Sequence, residues 1–193
     1  MCSRYFIERE DLDGLLTGNA GMQAAQGTAP FHAGDIRPAE PAPVLRRAPA
    51  GLQLTALRWG WPGVQGGLLI NARAETAAQK TLFSRGFRHG RIVLPASGFY
   101  EWTAAREKHR FRLPARGLLQ MAGLYDRFDG EDRFVILTTQ ANASVRPVHT
   151  RMPLLLDAAQ AADWLAGDRA EILLQLTPPP LEDCSEFTQL SLF

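Results

Sequence analysis

Cys2 lies directly after Met1 in the opening MCSRY, where a cysteine has chemistry that it lacks elsewhere in a chain. Methionine is commonly trimmed when the next residue is small, and Cys2 would then carry a free α-amine and a thiol on adjacent carbons. Because an α-amine has a reference pKa of about 7.7–8.0, a sizeable fraction of it is neutral near pH 7. Such an amine forms an imine with an aldehyde, and the thiol closes a ring on the imine carbon. The alternative is a cysteine placed there by chance.

Four other polar residues lie in apolar, strand-like surroundings: Asn71 after GLLI, Glu101 within SGFYEWT, His149 within PVHTRMP, and Thr138 at the end of the VIL strand. Burial would raise the pKa of Glu101 and make it a proton donor or acceptor near neutral pH. The first three also have purely structural interpretations. Glu101 could pair with Arg73 or Arg151, His149 could be a hydrogen-bonded core histidine, and Asn71 could cap a helix or form a turn.

The elements that would position these residues are mostly strands. Alternating or β-branched stretches predict strands at 4–7, 43–46, 52–61, 109–115, 118–126 and 133–139, and two strand pieces at 91–103. DGED at 129–132 predicts a hairpin turn. Helices are expected within 9–28, after the loop that begins at Asn71, and from an N-cap at Asp157 through Trp164. This pattern indicates an α+β fold with a mostly antiparallel, barrel-like sheet and a few helices.

Composition limits the possible classes. The 193 residues are 46% hydrophobic and 21% charged, which is typical of one soluble domain. No apolar run is long enough to span a membrane, and the two cysteines suggest neither a disulfide framework nor a metal site. We therefore expect a cytoplasmic protein without a cofactor. Residues 1–156 carry a net charge of +7, and 19 of the 21 basic residues are arginine, which suits phosphate contacts.

The blocks MCSRY, NARAET, RIVLPASGFYEW, MAGLYD, ILTTQAN and HTRMP occur in this order, and together they resemble the SRAP (SOS-response-associated peptidase) family. The resemblance runs from Cys2 to about Trp164. It implies a monomeric SRAP-type domain that senses and shields abasic sites in single-stranded DNA, at the nucleoid or replication fork. In this family the mature N-terminal cysteine captures the aldehyde of the opened sugar as a thiazolidine, which gives a covalent DNA–protein crosslink.

The resemblance also assigns roles to residues. Cys2 matches the nucleophile, Asn71 the residue that orients the N-terminus, Glu101 the proton acceptor for the amine, and His149 the acid–base group on the sugar. The matches to DNA-binding positions are Arg4, Pro38, Trp59, Arg73, Thr138 and Arg151, with Trp61 as the alternative to Trp59 for stacking on a base.

Two departures from the family pattern affect these expectations. Ser3 stands where the family usually has glycine, and the segment from Trp61 to Asn71 is shorter than in many members. The first could crowd the nucleophile or add a hydrogen bond, and the second reduces the expected DNA footprint. Two other functions stay open: a thiol peptidase that uses Cys2, His149 and Asn71, and a single-stranded DNA-binding module without covalent chemistry.

The sequence ends in QLSLF, which consists of Gln189, Leu190, Ser191, Leu192 and Phe193. This pentapeptide resembles the bacterial sliding-clamp-binding motif, in which a glutamine and apolar anchors fill a groove. The alternative is an apolar strand that packs on the core of its own domain. We expect the SRAP domain to cover residues 1–176 and a flexible tail to cover 177–193, with a sliding clamp as a partner.

Overall fold

The structure is a computed structural model that describes residues 2–17, 23–24, 32–49, 51–63, 66–115 and 117–185. Its strands are β1 (Tyr5–Ile7), β2 (Gln23–Ala24), β3 (Gly34–Ile36), β4 (Pro41–Ala48), β5 (Gly51–Trp59), β6 (Trp61–Pro62), β7 (Leu68–Leu69), β8 (Asn71–Arg73), β9 (Arg91–Ala96), β10 (Gly98–Trp102), β11 (Lys108–Arg112), β12 (Leu119–Phe128), β13 (Glu131–Gln140), β14 (Arg151–Pro153), β15 (Leu155–Leu156) and β16 (Glu182–Asp183). Its helices are α1 (Arg9–Thr17), α2 (Ala74–Ala77), α3 (Thr81–His89), α4 (Ala158–Ala166) and α5 (Ala170–Leu173).

Five strands close into a barrel. Around the ring, β13 pairs with β12, β12 with β9, β9 with β4 and β4 with β5, all antiparallel, and β5 returns to β13 in a parallel pairing. The β12–β13 hairpin turns at Asp129 and Gly130, whose φ angles of 50° and 83° fit the type I′ turn that an Asp-Gly pair favours. The expected α+β class and barrel-like sheet are confirmed.

The barrel separates two groups of buried side chains. Trp59, Met121 and Phe134 belong to the group that contains Cys2, whereas Val93 and Trp164 belong to a group that α3 and α4 cover. Helix α4 begins where it was expected, because the Asp157 side chain accepts from the backbone N–H of Gln160 in a capping box. The barrel therefore packs against a core on each of its two surfaces.

A second sheet brings the N-terminus to the site. Its order is β16-β11-β10-β1-β3, so β1 lies between β10 and β3. Tyr5 pairs with Phe99, and the backbone N–H of Tyr100 donates to the Arg4 carbonyl at 3.0 Å. Cys2, three residues before β1, is thereby placed beside the part of β10 that carries Glu101.

Some elements differ from the sequence-based expectations. The helix expected within 9–28 ends at Thr17, and Gln23–Ala24 is instead a strand beside β5. The continuous strand expected at 52–61 is interrupted at Gly60, whose φ of 109° suits glycine. The segment after residue 177 was expected to be irregular, yet Glu182–Asp183 pairs with β11 and Leu181 is buried.

The proposed clamp-binding residues 189–193 lie outside the described residues. Within the part of the chain that the structure describes, no helix is long and apolar enough to cross a membrane.

Candidate functional site

Cys2 lies in the core, with none of its surface exposed. Its thiol contacts the Arg4 carbonyl at 3.8 Å. Burial is the main cause that raises the pKa of this thiol far above its usual value, and the charge of the nearby Glu101 carboxylate raises it further. The thiol is therefore protonated at neutral pH, since the protein offers the thiolate neither solvent nor enough positive charge.

Asn71 holds the backbone of Cys2. It begins β8, whose parallel pairing with Ile136 of β13 fixes its position, and its Nδ2–H donates to the Cys2 carbonyl at 2.9 Å. The structure thus places Asn71 neither in a turn nor at a helix cap, because Arg73 is the N-cap of α2. Its buried Oδ1 has no hydrogen-bond partner among the described residues. A buried amide oxygen of this kind is an acceptor available to a donor that enters the site.

Glu101 is almost fully buried, with 3% of its side chain exposed. It points from β10, where it pairs with His109 of β11. Burial raises the pKa of Glu101, and the neighbouring His149 opposes that rise. A carboxyl group with a raised pKa exchanges protons closer to neutral pH than an exposed one does, as a general acid or base must.

His149 faces Glu101 from the other side of the site. Its Nδ1 lies 4.0 Å from the nearer Glu101 oxygen, and 27% of its side chain is exposed. The same Nδ1 is 3.0 Å from both the backbone N–H and the carbonyl of Arg151. The neutral ring can accept from that N–H and the protonated ring can donate to that carbonyl, so either state has a partner.

Arg151 is anchored beside His149 by a carboxylate. Its guanidinium donates two hydrogen bonds to Glu75, at 2.6 and 2.8 Å, and a third to the Thr138 carbonyl. Only 15% of the Arg151 side chain is exposed. Thr138 is fully buried and pairs in register with Arg73, which is exposed. On this side of the site, Arg73 is therefore accessible to solvent, whereas Arg151 is held by the Glu75 carboxylate.

Two other expected DNA-binding residues lie near the N-terminal segment. Arg4 is 3.8 Å from Asp35, and its guanidinium lies over the Trp102 ring, 5.4 Å from the centroid. Pro38 is half-buried in the turn between β3 and β4. Both side chains remain partly open to solvent, as contact with a ligand requires.

Trp59 does not have the position that stacking on a base needs. Its ring is fully buried between Tyr5 and Phe134, at centroid distances of 5.3 and 6.1 Å, and its Nε1–H donates to the Ile70 carbonyl. The alternative, Trp61, is also fully buried, and its Nε1–H donates to the Arg133 carbonyl. Both rings are core side chains with no face open to solvent.

Three residues of this region were not expected from the sequence. Glu75 lies within NARAET, but only the fold shows that it binds Arg151. Asp35 accepts from the Tyr100 hydroxyl at 3.0 Å and faces Arg4. Tyr5 has a buried hydroxyl without a hydrogen-bond partner in the described ranges. A tyrosine in a short apolar strand gives no signal of this kind in a sequence.

Asn71 binds the Cys2 backbone, and Glu101 and His149 lie nearby as two titratable side chains. In the ranges that the structure describes, no three His, Cys, Asp or Glu side chains gather closely enough to hold a metal ion. A thiol, a carboxyl group and an imidazole at one site can support nucleophilic addition with proton transfer.

Comparisons with known proteins identify the family of the chain. Residues 1–191 match the family described as SOS response associated peptidase (SRAP). The chain is 34% identical over 128 residues to "Abasic site processing protein YoaM" of Bacillus subtilis (strain 168), which covers 58% of this chain and 56% of that protein. It is 29% identical over 181 residues to "Abasic site processing protein YoqW" of the same organism, with 86% and 80% covered.

In the first of these comparisons the chain spans only slightly more than half the length of its relative. A crystal structure of a Bordetella bronchiseptica protein has a TM-score of 0.77 and 24% identity to this chain, and the alignment covers 94% of this chain and 98% of that one. At this identity the likeness shows the fold alone.

Proposed function

Because the chain belongs to the SOS response associated peptidase family, we propose that it processes abasic sites in single-stranded DNA by capturing their aldehyde on Cys2 as a thiazolidine. Relatives that carry the name abasic site processing protein support the substrate. The observation that carries the chemistry is the hydrogen bond of 2.9 Å between Asn71 and the Cys2 carbonyl, next to Glu101 and His149. It fixes a candidate N-terminal amine beside two groups that transfer protons.

The first step is imine formation. After Met1 is removed, the Glu101 carboxylate takes a proton from the Cys2 ammonium, and the neutral amine attacks C1′ of the ring-opened sugar. As the N–C bond forms, the nitrogen passes a proton to the carbonyl oxygen, which becomes the hydroxyl of a carbinolamine. Protonated Glu101 then gives its proton to this hydroxyl, which leaves as water, and the nitrogen lone pair forms the C=N bond of an iminium ion. The raised pKa of Glu101 suits both directions of transfer.

The second step closes the ring. The Cys2 thiol adds to the iminium carbon, a C–S bond forms as the C=N π electrons return to nitrogen, and the thiol proton passes to the Glu101 carboxylate. Aldehyde and aminothiol thus give thiazolidine and one water, without an oxidant or reductant. Since burial keeps the thiol protonated, the amine reacts first and the thiol follows with its own proton.

His149 supplies the preceding step. An abasic sugar is mostly a closed ring, and its opening needs a proton on the ring oxygen and the loss of one from the C1′ hydroxyl. With 27% of its side chain exposed, His149 is accessible to the sugar. The Arg151 backbone offers Nδ1 a partner in either protonation state. We assign the exposed Arg73, together with Arg4 and Arg151, to the flanking phosphates, and Pro38 and Thr138 to the edge of the same path.

Variants at the N-terminus test the proposal. An oligonucleotide with one abasic site should give a heat-stable adduct with the wild-type protein. Cys2→Ser keeps the amine and should give only an imine, which borohydride traps and hydrolysis reverses. Insertion of a lysine between Met1 and Cys2 keeps the thiol but moves the amine away, and should abolish both products. A heat-stable adduct in either variant would contradict the proposal.

The thiol peptidase is the alternative that the site disfavours. A cysteine peptidase needs a thiolate, whereas burial and Glu101 together raise the pKa of the Cys2 thiol. The lysine insertion separates the two functions, because it spares a peptidase thiol. The non-covalent DNA-binding module predicts equal binding of DNA with and without an abasic site, and no adduct.

We also propose that Gln189, Leu190, Ser191, Leu192 and Phe193 bind a bacterial sliding clamp, on the evidence of the sequence QLSLF. Binding of a fluorescent peptide of the last ten residues to purified clamp tests this. Replacement of Gln189, Leu192 and Phe193 by alanine should abolish binding, while Ser191→Ala should leave most of it. Equal binding of these two peptides would contradict the motif.

A further inference from the structure

Two adjacent cavities lie at one end of the barrel, away from Cys2. One, of about 230 Å³, is lined by Arg85, Arg127 and Asp126 among others. The other, of about 380 Å³, is lined by Arg47 and Arg88 among others. They form one continuous surface, since His89 and Tyr125 line both.

This surface, here called the arginine face, is rich in positive charge. Five arginines line it: Arg47, Arg85, Arg88, Arg91 and Arg127. Arg46 joins them, because it pairs with Asp132 at 3.4 Å, as Arg127 does at 3.5 Å. Three carboxylates accompany them: Asp126 and Asp132 on the surface, and Asp168, whose charge acts on Arg91. The excess of three positive charges makes the face attractive to polyanions.

The arginines of the face differ in how firmly they are held. Arg91 donates to the backbone carbonyls of Trp164 and Phe87, so it is part of the fold. Arg85 pairs with Asp126, and its side chain remains 70% exposed. Arg47 and Arg88 are exposed, and within the described part of the chain no carboxylate pairs with either guanidinium. These two are free to contact a ligand.

The register of the barrel separates the arginine face from the candidate active site. Tyr125, at the centre of the face, pairs with Phe134 of β13. Thr138, which binds Arg151 at the active site, lies four residues further along the same strand. At about 3.3 Å per residue this is about 13 Å, or roughly four base-pair steps of DNA. A ligand confined to the active site does not reach the face.

We propose that the arginine face binds the phosphate backbone of the DNA that continues from the active site. The inference rests on the proposed function, because the active site sets where the DNA begins. Arginine rather than lysine forms the face, and its planar fork matches phosphate oxygens. Open cavities that bear several separated charges fit an extended polyanion better than a single small anion.

The test compares two double variants that each remove two positive charges. Arg47→Gln/Arg88→Gln alters the face, and Arg9→Gln/Arg106→Gln removes two exposed charges elsewhere as a matched control. Crosslinking is measured on a short single strand with one nucleotide on each side of the abasic site. Non-covalent affinity is measured at a series of salt concentrations on DNA that has an intact nucleotide in place of the abasic site. The twenty nucleotides on each side of that position are either single-stranded or duplex.

The face variant should crosslink the short strand like the wild type. With long DNA, the slope of log affinity against log salt should fall by about 1.4 if the face binds single-stranded flanks, or about 1.8 if it binds duplex. The control variant should have a slope closer to that of the wild type than the face variant has. The arm with the greater change identifies the form of DNA that occupies the face.

Three results separate the possible failures. Equal slopes for the two double variants would overturn the inference and would leave an acidic protein as the alternative partner. A loss of crosslinking on the short strand as large as the loss of affinity for long DNA would also overturn the inference, because the face would then act within the active site. Failure of the wild type to crosslink the short strand would instead contradict the proposed function.

Discussion

Asn71→Ala removes a side-chain hydrogen bond that holds the Cys2 backbone. In the wild type, Asn71 Nδ2 donates to the Cys2 carbonyl at 2.9 Å inside the core. The variant leaves this carbonyl buried without that donor and lets the N-terminal residue rotate. We expect a large effect on crosslinking and a small effect on folding, because removal of the unpartnered Oδ1 offsets the lost Nδ2 hydrogen bond in folding but not in positioning the amine.

The magnitudes follow from the hydrogen bonding. Loss of a partner for a buried acceptor costs about 1–3 kcal/mol. The substitution also removes the Asn71 Oδ1, a buried acceptor without a partner among the described residues, which returns a similar amount. The free energy of unfolding should therefore change by about 1 kcal/mol or less. If the amine is positioned by this bond alone, the same 1–3 kcal/mol lowers the crosslinking rate by about 5- to 150-fold.

Single-turnover crosslinking with excess protein gives the rate, and urea unfolding gives the stability. Asn71→Asp is the informative companion, because it keeps the shape, replaces the donor by an acceptor and adds a charge near Glu101. It should be slower than Asn71→Ala. A wild-type rate for Asn71→Ala, or a rate loss that merely follows lost stability, would refute the positioning role.

Three further predictions concern neighbouring residues. Burial raises the pKa of Glu101, so the native protein binds this proton more tightly than the unfolded chain does and loses stability as the pH rises above about 4.3. Glu101→Gln lacks this loss, so its stability in urea relative to wild type should increase as the pH rises to neutrality, by about 1.4 kcal/mol per unit of pKa shift. Crosslinking by the same variant should fall about 10²- to 10⁴-fold. Glu75→Gln should release Arg151 and strengthen non-covalent DNA binding up to about fivefold, as measured by fluorescence anisotropy. The free energy of unfolding should fall by less than about 1 kcal/mol, because the Glu75 side chain is 40% exposed. Gly98→Ala would place a methyl group 2.5 Å from the Phe111 carbonyl oxygen, and urea unfolding should show a loss of about 1–3 kcal/mol.

Each of these predictions has a result that contradicts it. A stability difference between wild type and Glu101→Gln that stays constant from pH 4 to 7 would mean that Glu101 titrates normally. Weaker DNA binding by Glu75→Gln would mean that Glu75 places Arg151 for its contact rather than competing for it. Unchanged stability of Gly98→Ala would mean that β10 and β11 can move apart.

Local chemistry in the sequence predicts much of the fold. The alternating stretches became strands β4, β5, β12 and β13, the DGED turn forms the hairpin, and the Asp157 cap starts α4. These features depend on neighbours within a few residues. The parallel pairings of β13 with β5 and β8 join distant segments, and no local pattern indicates them. They close the barrel and place Asn71.

Burial is the property that the sequence predicts least well at the site. Glu101 and Asn71 were recognised because polar residues in apolar stretches need a partner or a task. Trp59 was expected to meet a base, but an alternating strand has two faces and the sequence does not show which face is inside. The bond between Glu75 and Arg151 joins residues 76 positions apart, and only the fold brings them together.

The most direct test of the covalent proposal is the intact mass of the protein with and without single-stranded DNA that contains one abasic site. We expect a protein that lacks Met1 and, with DNA, a heat-stable species whose mass is the sum of both partners minus one water. Cys2→Ala should not form it. A protein that begins at Cys2 and forms no such species, or an equally heat-stable adduct on Cys2→Ala, would contradict capture of the aldehyde by Cys2.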